Sequence, residues 1–164
     1  MGIGVLALAA ALAGNPFSLG VAAGEITPNG ALLWGHATPG KVRLEVARDE
    51  RFRRVVVRRA ARADAKRDGT IHVAVGHLLP GRTYFYRFLR GRSASTTGRF
   101  ATAPQPARAV SVRFAVSGDA DATPAPGTSG PAYNHFEVYS RMAAERNAFN
   151  INLGDTIYSD SEVP

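Results

Sequence analysis

Apolar and polar residues alternate in short runs through the part of the chain before Thr102. Turn-forming pairs separate these runs, among them Pro39-Gly40, Asp68-Gly69 and Pro80-Gly81. Alternation with a period of two is typical of half-buried strands, and Gly, Pro, Asn and Asp are the residues that tight turns favour. The pattern therefore predicts strands at residues 31–36, 42–47, 55–59, 71–75, 84–89 and 97–101. Short strands at this spacing are typical of an antiparallel β-sandwich.

The pattern changes after a proline-containing linker at residues 104–110. An apolar run at 112–116 is followed by a loop at 122–131 that is rich in Gly, Pro and Thr, and then by helical periodicity from about 133 to 146. A second apolar run occupies residues 149–153. Strand, helix and strand in this order predict a βαβ unit, whose crossover makes the two strands parallel and brings their carboxyl ends to the same edge.

These patterns predict a β-sandwich at residues 15–103 and the first part of an α/β domain at 111–164. Residues 1–14 are almost entirely apolar and end in Ala11-Leu12-Ala13-Gly14. This stretch is too short to span a bilayer, and its small-x-small ending predicts the remnant of a secretory signal peptide, with a buried helix or strand as the alternative. We therefore expect a secreted or periplasmic protein without a stable membrane span, and the twin-arginine pathway is one candidate route of export.

Composition restricts the chemistry of any metal site. The 164 residues include no cysteine, so disulfides and thiolate ligands are excluded, and a metal must be held by oxygen or imidazole. Residues 1–113 carry 18 Lys or Arg against 6 Asp or Glu, a net of +12, while residues 114–164 carry 2 against 7, a net of −5. The arginine run at 51–59 has acidic neighbours and a single aromatic residue, Phe52, so we expect a solvated strand face and no specific nucleic-acid binding.

Oxygen ligands follow both strands of the predicted βαβ unit. Asp119 and Asp121 come after the first strand, and Asp155 and Tyr158 come after the second. Adjacent parallel strands are about 4.8 Å apart, so these groups are expected at one edge of the sheet, where ligands bind in such folds. Cations there would relieve the repulsion between the carboxylates and could clamp a phosphoryl group. The alternative for Asp119 and Asp121 is a structural role as helix caps or turn formers.

Two residues at the start of the predicted helix, Asn134 and His135, are weaker candidates for substrate binding. Their position would allow either of them to approach the same edge of the sheet. Asparagine at this position also caps helices, and histidine there is commonly exposed, so a structural role is the alternative for both.

The stretch from Leu78 to Tyr84, with Pro80 and Thr83, resembles the Leu-x-Pro-x-Thr-x-Tyr corner of fibronectin type III domains. In those domains the tyrosine hydroxyl bonds back to the chain near a corner of the sandwich. The resemblance implies an immunoglobulin or fibronectin III-like fold for the first domain, and a hydrogen bond of this kind for Tyr84.

The segment Gly154-Asp155-Thr156-Ile157-Tyr158 resembles the second motif of calcineurin-like metallophosphoesterases, in the Gly-Asp-x-x-Tyr form of alkaline phosphatase D and the purple acid phosphatases. The resemblance implies that Asp155 bridges two metal ions and that Tyr158 binds a ferric ion, with Asp119 and Asp121 as further ligands. It also implies that the second ion is Ca²⁺ or another divalent ion. Many members have Asp-x-His or a cysteine at the first motif, whereas Asp119-Ala120-Asp121 makes a harder and more anionic site.

The opening of the chain is similar to the alkaline phosphatase D family in particular. Phe17-Ser18-Leu19-Gly20-Val21-Ala22-Ala23-Gly24, then Thr27-Pro28-Asn29-Gly30 and Leu32-Leu33-Trp34, follow the family order F-x-x-G-V-A-S-G-x-x-T-P-x-G-x-x-L-W. The resemblance implies hydrolysis of phosphate mono- or diesters through a metal-bound hydroxide, in an N-terminal portion that is expected to be inactive alone. One alternative is a purple acid phosphatase, which also begins with a fibronectin-like domain. The other is a non-catalytic fibronectin-like module with an acidic metal-binding tail.

Overall fold

The computed structural model describes residues 14–156 and Tyr158. Residues 1–13, which hold most of the predicted signal-peptide remnant, lie outside the described residues. The chain divides into two compact units, Met1–Arg108 and Ala109–Pro164. In the described part of the chain, no helix is long and apolar enough to cross a membrane.

The first unit is a sandwich of two antiparallel sheets. Its strands are β1 Phe17–Gly24, β2 Ala31–Ala37, β3 Gly40–Ala47, β4 Val55–Ala63, β5 Thr70–Val75, β6 Thr83–Arg90, β7 Ser93–Ala94 and β8 Gly98–Ala101, and a short 3-10 helix spans Ala65–Arg67. One sheet has the order β1-β2-β5. The other has the order β4-β3-β6-β7, and β8 also pairs with β6. The described strands of this unit therefore form the predicted all-β sandwich.

Alternation within the strands builds the core between the two sheets. In β2 the alternate positions Leu33, Gly35 and Ala37 are buried, and Trp34 and His36 between them are half-buried. The opposite sheet contributes Leu44 from β3 and Phe88 from β6, both fully buried. Each large apolar side chain buried in this way contributes about 1.5–3 kcal/mol. The sheets approach so closely that a Cβ atom on Gly35 would lie 2.7 Å from the ring of Phe88.

Strands β1 and β7 were not among the strands predicted from the sequence. Strand β1 lacks a regular alternation because Leu19 and Gly20 have φ angles of 61° and 72°, and its register with β2 shifts between Ser18 and Val21. Such a bulge places successive side chains out of the period-two pattern on which the strand prediction depends. Strand β7 has only two residues, too few to produce a pattern.

The tyrosine corner expected from the sequence is present. The backbone N–H of Leu79 donates a hydrogen bond of 2.9 Å to the hydroxyl of Tyr84. The ring of Tyr84 is buried and stacks on Phe100, with 5.7 Å between the ring centroids. The hydroxyl of Thr102 donates to the carbonyl oxygen of Leu79 at 2.7 Å. These contacts tie the β6 corner to the chain that follows β8.

The second unit contains strand β9 Phe114–Ser117, helix α1 Glu137–Ala144 and strand β10 Phe149–Asn152. The two strands are parallel, with Phe114 opposite Phe149 and Ser117 opposite Asn152. The rings of Phe114 and Phe149 stack with 5.3 Å between their centroids. The strands lie within a residue or two of the apolar runs that predicted them, and the helix lies in the connection between them.

Helix α1 is shorter than the predicted helix at residues 133–146. Phe136, which precedes it, has a left-handed backbone with a φ of 60° and provides no side-chain cap. The side-chain amide of Asn134 donates a hydrogen bond of 2.9 Å to the carbonyl oxygen of Asp121 and does not cap the helix. The helix therefore begins only at Glu137, and its buried residue is Met142.

Candidate metal centre

The parallel register places the carboxyl ends of β9 and β10 side by side. Beyond the last pair of the register, the N–H of Leu153 donates to the carbonyl oxygen of Ser117 at 2.8 Å. One step further, the N–H of Ala120 donates to the carbonyl oxygen of Asp155 at 2.7 Å. The two segments that carry the predicted site residues therefore leave the sheet together.

Both segments turn sharply after their strands. Asp119 and Asp155 have left-handed backbones, with φ angles of 48° and 53°, and Gly154 has a φ of 108°. Aspartate is one of the few residues other than glycine that tolerates the left-handed region. The side-chain oxygen of Asn152 accepts a hydrogen bond from the N–H of Gly154 at 2.8 Å and fixes the second turn. Asn152 was not identified from the sequence, although an asparagine directly before this turn was a usable signal.

Tyr158 reaches across to the other segment. Its phenol donates a hydrogen bond to the Oδ1 atom of Asp119, a residue that follows the other strand. Two hydrogen bonds thus link the two motifs that the sequence predicted at one edge of the sheet. One is the backbone bond from Ala120 to Asp155, and the other is the side-chain bond from Tyr158 to Asp119.

The surroundings of Tyr158 favour the neutral phenol. The hydrogen bond to Asp119 raises the pKa of Tyr158 most, followed by removal from water, and the negative charges of Asp119, Asp155 and Asp121 raise it further, to about 12. A phenolate here would add another negative charge to three carboxylates. A cation at this edge would reverse the balance, because it favours the phenolate and screens the carboxylates from one another.

Asp121 lies deeper than the other two carboxylates, with 8% of its surface exposed. Its Oδ1 atom accepts a hydrogen bond from the N–H of Thr123 at 2.8 Å, which is the turn-forming role considered for it from the sequence. Its carbonyl oxygen accepts the bond from Asn134, so Asn134 holds the two ends of the intervening loop together. The N–H of Ala132 donates to the carbonyl oxygen of Thr123 at 2.8 Å and closes the same loop.

The four predicted ligands fit a hard cation by type. They are three carboxylates and a phenol, and oxygen ligands of this kind suit Fe³⁺ and Ca²⁺. Among the described residues, however, no group of three His, Cys, Asp or Glu side chains lies close enough together to hold a metal ion. Asp119 and Tyr158 are in direct contact, while Asp121 and Asp155 act on Tyr158 through their charge. His135, the other weak candidate, is exposed.

Comparison with known proteins gives three findings. Residues 5–104 match the family model described as PhoD-like phosphatase, N-terminal domain. Alkaline phosphatase D of Bacillus subtilis strain 168 is 31% identical over 158 residues, which are 87% of this chain and 25% of that protein. The structure titled "Structure of PhoD" matches with a TM-score of 0.78 and 28% identity, over 89% of this chain and 29% of that one. The chain thus spans about a quarter of the length of the curated relative it matches.

Proposed function

Since the chain belongs to the PhoD-like phosphatase family, we propose that it is part of a metal-dependent phosphoesterase that hydrolyses phosphate mono- or diesters. The family membership favours this type over the purple acid phosphatase that the sequence left open. The observation in the site that best supports the proposal is the contact between Tyr158 and Asp119, because it joins the two motifs that the resemblance identifies as metal ligands.

In this proposal Asp119, Asp121, Asp155 and Tyr158 hold two ions, Fe³⁺ and Ca²⁺ or another divalent ion. Asp155 would be shared by the two ions, and Tyr158 would hold the ferric ion. When bound, such ions supply positive charge that activates water and neutralises phosphoryl oxygens. The part played by the chain itself is to orient these ligands. The left-handed turns at Asp119 and Asp155 direct both residues to the same edge.

Asn134 has a positioning role in this proposal. Its amide is bonded to the carbonyl oxygen of Asp121 at 2.9 Å, so it fixes the backbone that carries one of the ligands. Substitution by alanine would free the loop between the two residues and loosen Asp121. The next residue, His135, forms no such bond in the described part of the chain, so His135→Ala is the matched control for Asn134→Ala.

The ferric-phenolate pair provides the test. We expect the 164-residue chain loaded with Fe³⁺ from a weak chelate to develop a visible charge-transfer band, and inorganic phosphate to shift that band by binding at the same ion. Tyr158→Phe should abolish the band, whereas Tyr139→Phe, which removes a phenol from helix α1, should preserve it. A non-catalytic metal-binding tail would instead retain its metal affinity in Tyr158→Phe and would not respond to phosphate.

The 164 residues by themselves are expected to be inactive, because four oxygen ligands are too few to complete two metal sites of octahedral type. Hydrolysis of p-nitrophenyl phosphate and of its bis ester checks this. Robust metal-dependent turnover by this chain alone would show that no further ligands are needed, and would contradict the proposed site.

Export is a further part of the proposal. The apolar segment at residues 1–14 with its small-x-small ending supports it. Fusion of residues 1–20 to a leaderless reporter that is active only outside the cytoplasm should give an active reporter, and deletion of residues 2–13 should abolish that activity. An equally inactive reporter in both cases would rule out the signal-peptide interpretation.

A further inference from the structure

Most of the positive charge on the sandwich has no acidic partner among the described residues. The ion pairs that the structure gives for the described residues all involve one carboxylate, that of Glu45, which meets Arg43, Arg58 and Arg87. Among the remaining arginines, Arg90 donates hydrogen bonds to the carbonyl oxygens of Lys41 and Thr38 and to the hydroxyl of Thr38. The other arginines of this strongly basic unit make no side-chain hydrogen bond to the described residues and are available to solvent or to a ligand. Their distribution is uneven, and the densest group lies in the connection between β3 and β4.

We name residues 48–54 the arginine loop. Four of its seven residues are arginine, Arg48, Arg51, Arg53 and Arg54, and all four are exposed. Together with Asp49 and Glu50 they line an open cavity of about 420 Å³. A second cavity, of about 300 Å³, shares Arg48 and is lined by Leu79, Arg82 and Thr83. Five arginines therefore line two cavities that share one residue, Arg48.

Hydrogen bonds hold the arginine loop in one conformation. The carboxylate of Asp49 accepts bonds from the N–H groups of Arg53 and Arg54, at 3.1 and 2.8 Å. Its carbonyl oxygen accepts a bond from the N–H of Phe52 at 3.0 Å, and the N–H of Arg48 donates to the carbonyl oxygen of Arg54 at 3.0 Å. The negative charge of Asp49 is thus directed at the amides of its own loop. The backbone of a loop fixed in this way loses little conformational entropy when the loop binds a ligand.

The chemistry of the loop selects phosphate groups. Guanidinium groups present a planar fork of donors that matches phosphate oxygens, and several exposed arginines bind a chain of phosphates better than a single one because each separate contact is weak in salt. The one aromatic residue of the loop, Phe52, has its ring face covered by the guanidinium group of Arg87, which lies 3.9 Å from the ring centroid. One face of the single aromatic ring in the loop is therefore already occupied, so the loop is poorly suited to stacking successive bases.

We propose that the arginine loop and Arg82 form a binding site for a flexible phosphate polymer that lacks aromatic bases. This site lies on the sandwich and uses none of the predicted metal ligands. It thus goes beyond the proposed hydrolysis, and it can be tested on the metal-free chain.

The test uses labelled inorganic polyphosphate as the probe, with binding to the 164-residue chain measured by fluorescence anisotropy over a range of salt concentrations. For the triple variant Arg51→Gln, Arg53→Gln and Arg54→Gln, we expect binding about tenfold weaker and a plot of log K against log salt that is shallower by about 2, since about 0.7 counterion is released per phosphate contact on a single strand. The matched control is Arg62→Gln, Arg67→Gln and Arg92→Gln. It removes the same charge from exposed positions at the opposite end of the same sheet. The control should weaken binding by no more than about twofold, because distant surface charges are screened.

Two outcomes of this comparison would overturn the proposal. Equal losses in the two triple variants would mean that the overall charge of the sandwich attracts the polymer. Tighter binding of single-stranded DNA than of polyphosphate with the same number of phosphates would mean that bases are recognised.

The single charge reversal Arg51→Glu, at an exposed turn residue with no side-chain bond, provides a second variant that leaves the folding contacts intact. It should weaken binding about fivefold, and an unchanged affinity would also contradict the proposal.

Discussion

The phenol of Tyr158 donates a hydrogen bond to the carboxylate of Asp119, although the two residues are 39 positions apart in the sequence. The parallel pairing of β9 with β10 makes this contact possible, since it ends with Ser117 opposite Asn152 and leaves both following turns at one edge. Without a cation the contact stabilises the protonated phenol. In the proposed enzyme the same two oxygens would face a metal ion instead of each other.

A cation at this edge is expected to stabilise the folded chain, because it would bind the folded arrangement of carboxylates and not the unfolded one. At a free Ca²⁺ concentration about 100 times the dissociation constant, the gain is about 2.7 kcal/mol. Asp119→Asn should remove most of this gain, as measured by thermal unfolding with and without Ca²⁺. Glu137→Gln removes one negative charge from helix α1 in the same unit and should retain it. An equal loss in both variants would indicate general screening of the acidic unit and not a site.

Gly98 is expected to be intolerant of a side chain. A Cβ atom at this position would lie 2.3 Å from the ring of Tyr86, which is itself buried. Because the ring has no space into which it could move, Gly98→Ala should lower the free energy of unfolding by about 1–3 kcal/mol. Gly76→Ala is the control, since nothing lies within 4 Å of the corresponding Cβ. Urea unfolding of both variants measures the difference, and equal stabilities would show that the core can yield at Tyr86.

The tyrosine corner predicts that two buried tyrosines of β6, Tyr84 and Tyr86, differ in how much their hydroxyl groups contribute to stability. Tyr84→Phe leaves the N–H of Leu79 without its 2.9 Å acceptor, at a cost of about 1–2 kcal/mol. Tyr86→Phe is the comparison. The hydroxyl of Tyr86 makes no hydrogen bond to the described residues, so its removal should cost little. Chemical denaturation of the two variants should place Tyr84→Phe below Tyr86→Phe in stability, and the reverse order would contradict the importance of the corner.

The sequence predicted the sandwich well because its signals are local. Alternation and turn residues are set by neighbours a few positions apart, and the corner motif is contained within the stretch from Leu78 to Tyr84. The sequence-based prediction failed where backbone geometry overrides the residue pattern. The left-handed backbone at Leu19 interrupts the alternation in β1, and the left-handed backbone at Phe136 makes helix α1 begin only at Glu137.

The candidate site could be anticipated only as a set of residues and an edge. Parallel strands after two apolar runs imply a shared edge for Asp119 and Asp155. The direct bond from Tyr158, the use of Asn134 to hold the loop at Asp121, and the turn-fixing role of Asn152 depend on side-chain directions in irregular segments. No periodicity encodes those directions.

Glu45 predicts how the sandwich responds to acid. Its side chain is 8% exposed and meets Arg87 at 2.9 Å, Arg58 at 3.4 Å and Arg43 at 3.8 Å. Burial raises the pKa of Glu45, but the hydrogen bond and charge of Arg87, the charge of Arg43 and the hydrogen bond from Arg58 together outweigh burial and hold the pKa below 4.5. Because the pKa is lower in the folded state than in the unfolded state, ionised Glu45 stabilises the fold. This contribution is complete above pH 4.5 and is lost as the pH falls through the lowered folded value.

The variant Glu45→Gln should therefore be less stable than the parent at neutral pH, by about 1–2 kcal/mol, because the three arginines keep a neutral neighbour but lose its charge. The difference in the free energy of unfolding between Glu45→Gln and the parent should narrow as the pH falls below 4.5 and through the lowered pKa of folded Glu45, because protonation then removes the same charge from the parent. Urea unfolding at a series of pH values from neutral to acidic measures this difference in the free energy of unfolding. Glu50→Gln, at an exposed carboxylate that forms no ion pair in the described part of the chain, is the control and should change the free energy of unfolding little. A gap between Glu45→Gln and the parent that stays constant down to pH 3 would mean that the side chain acts through its shape and not through its charge.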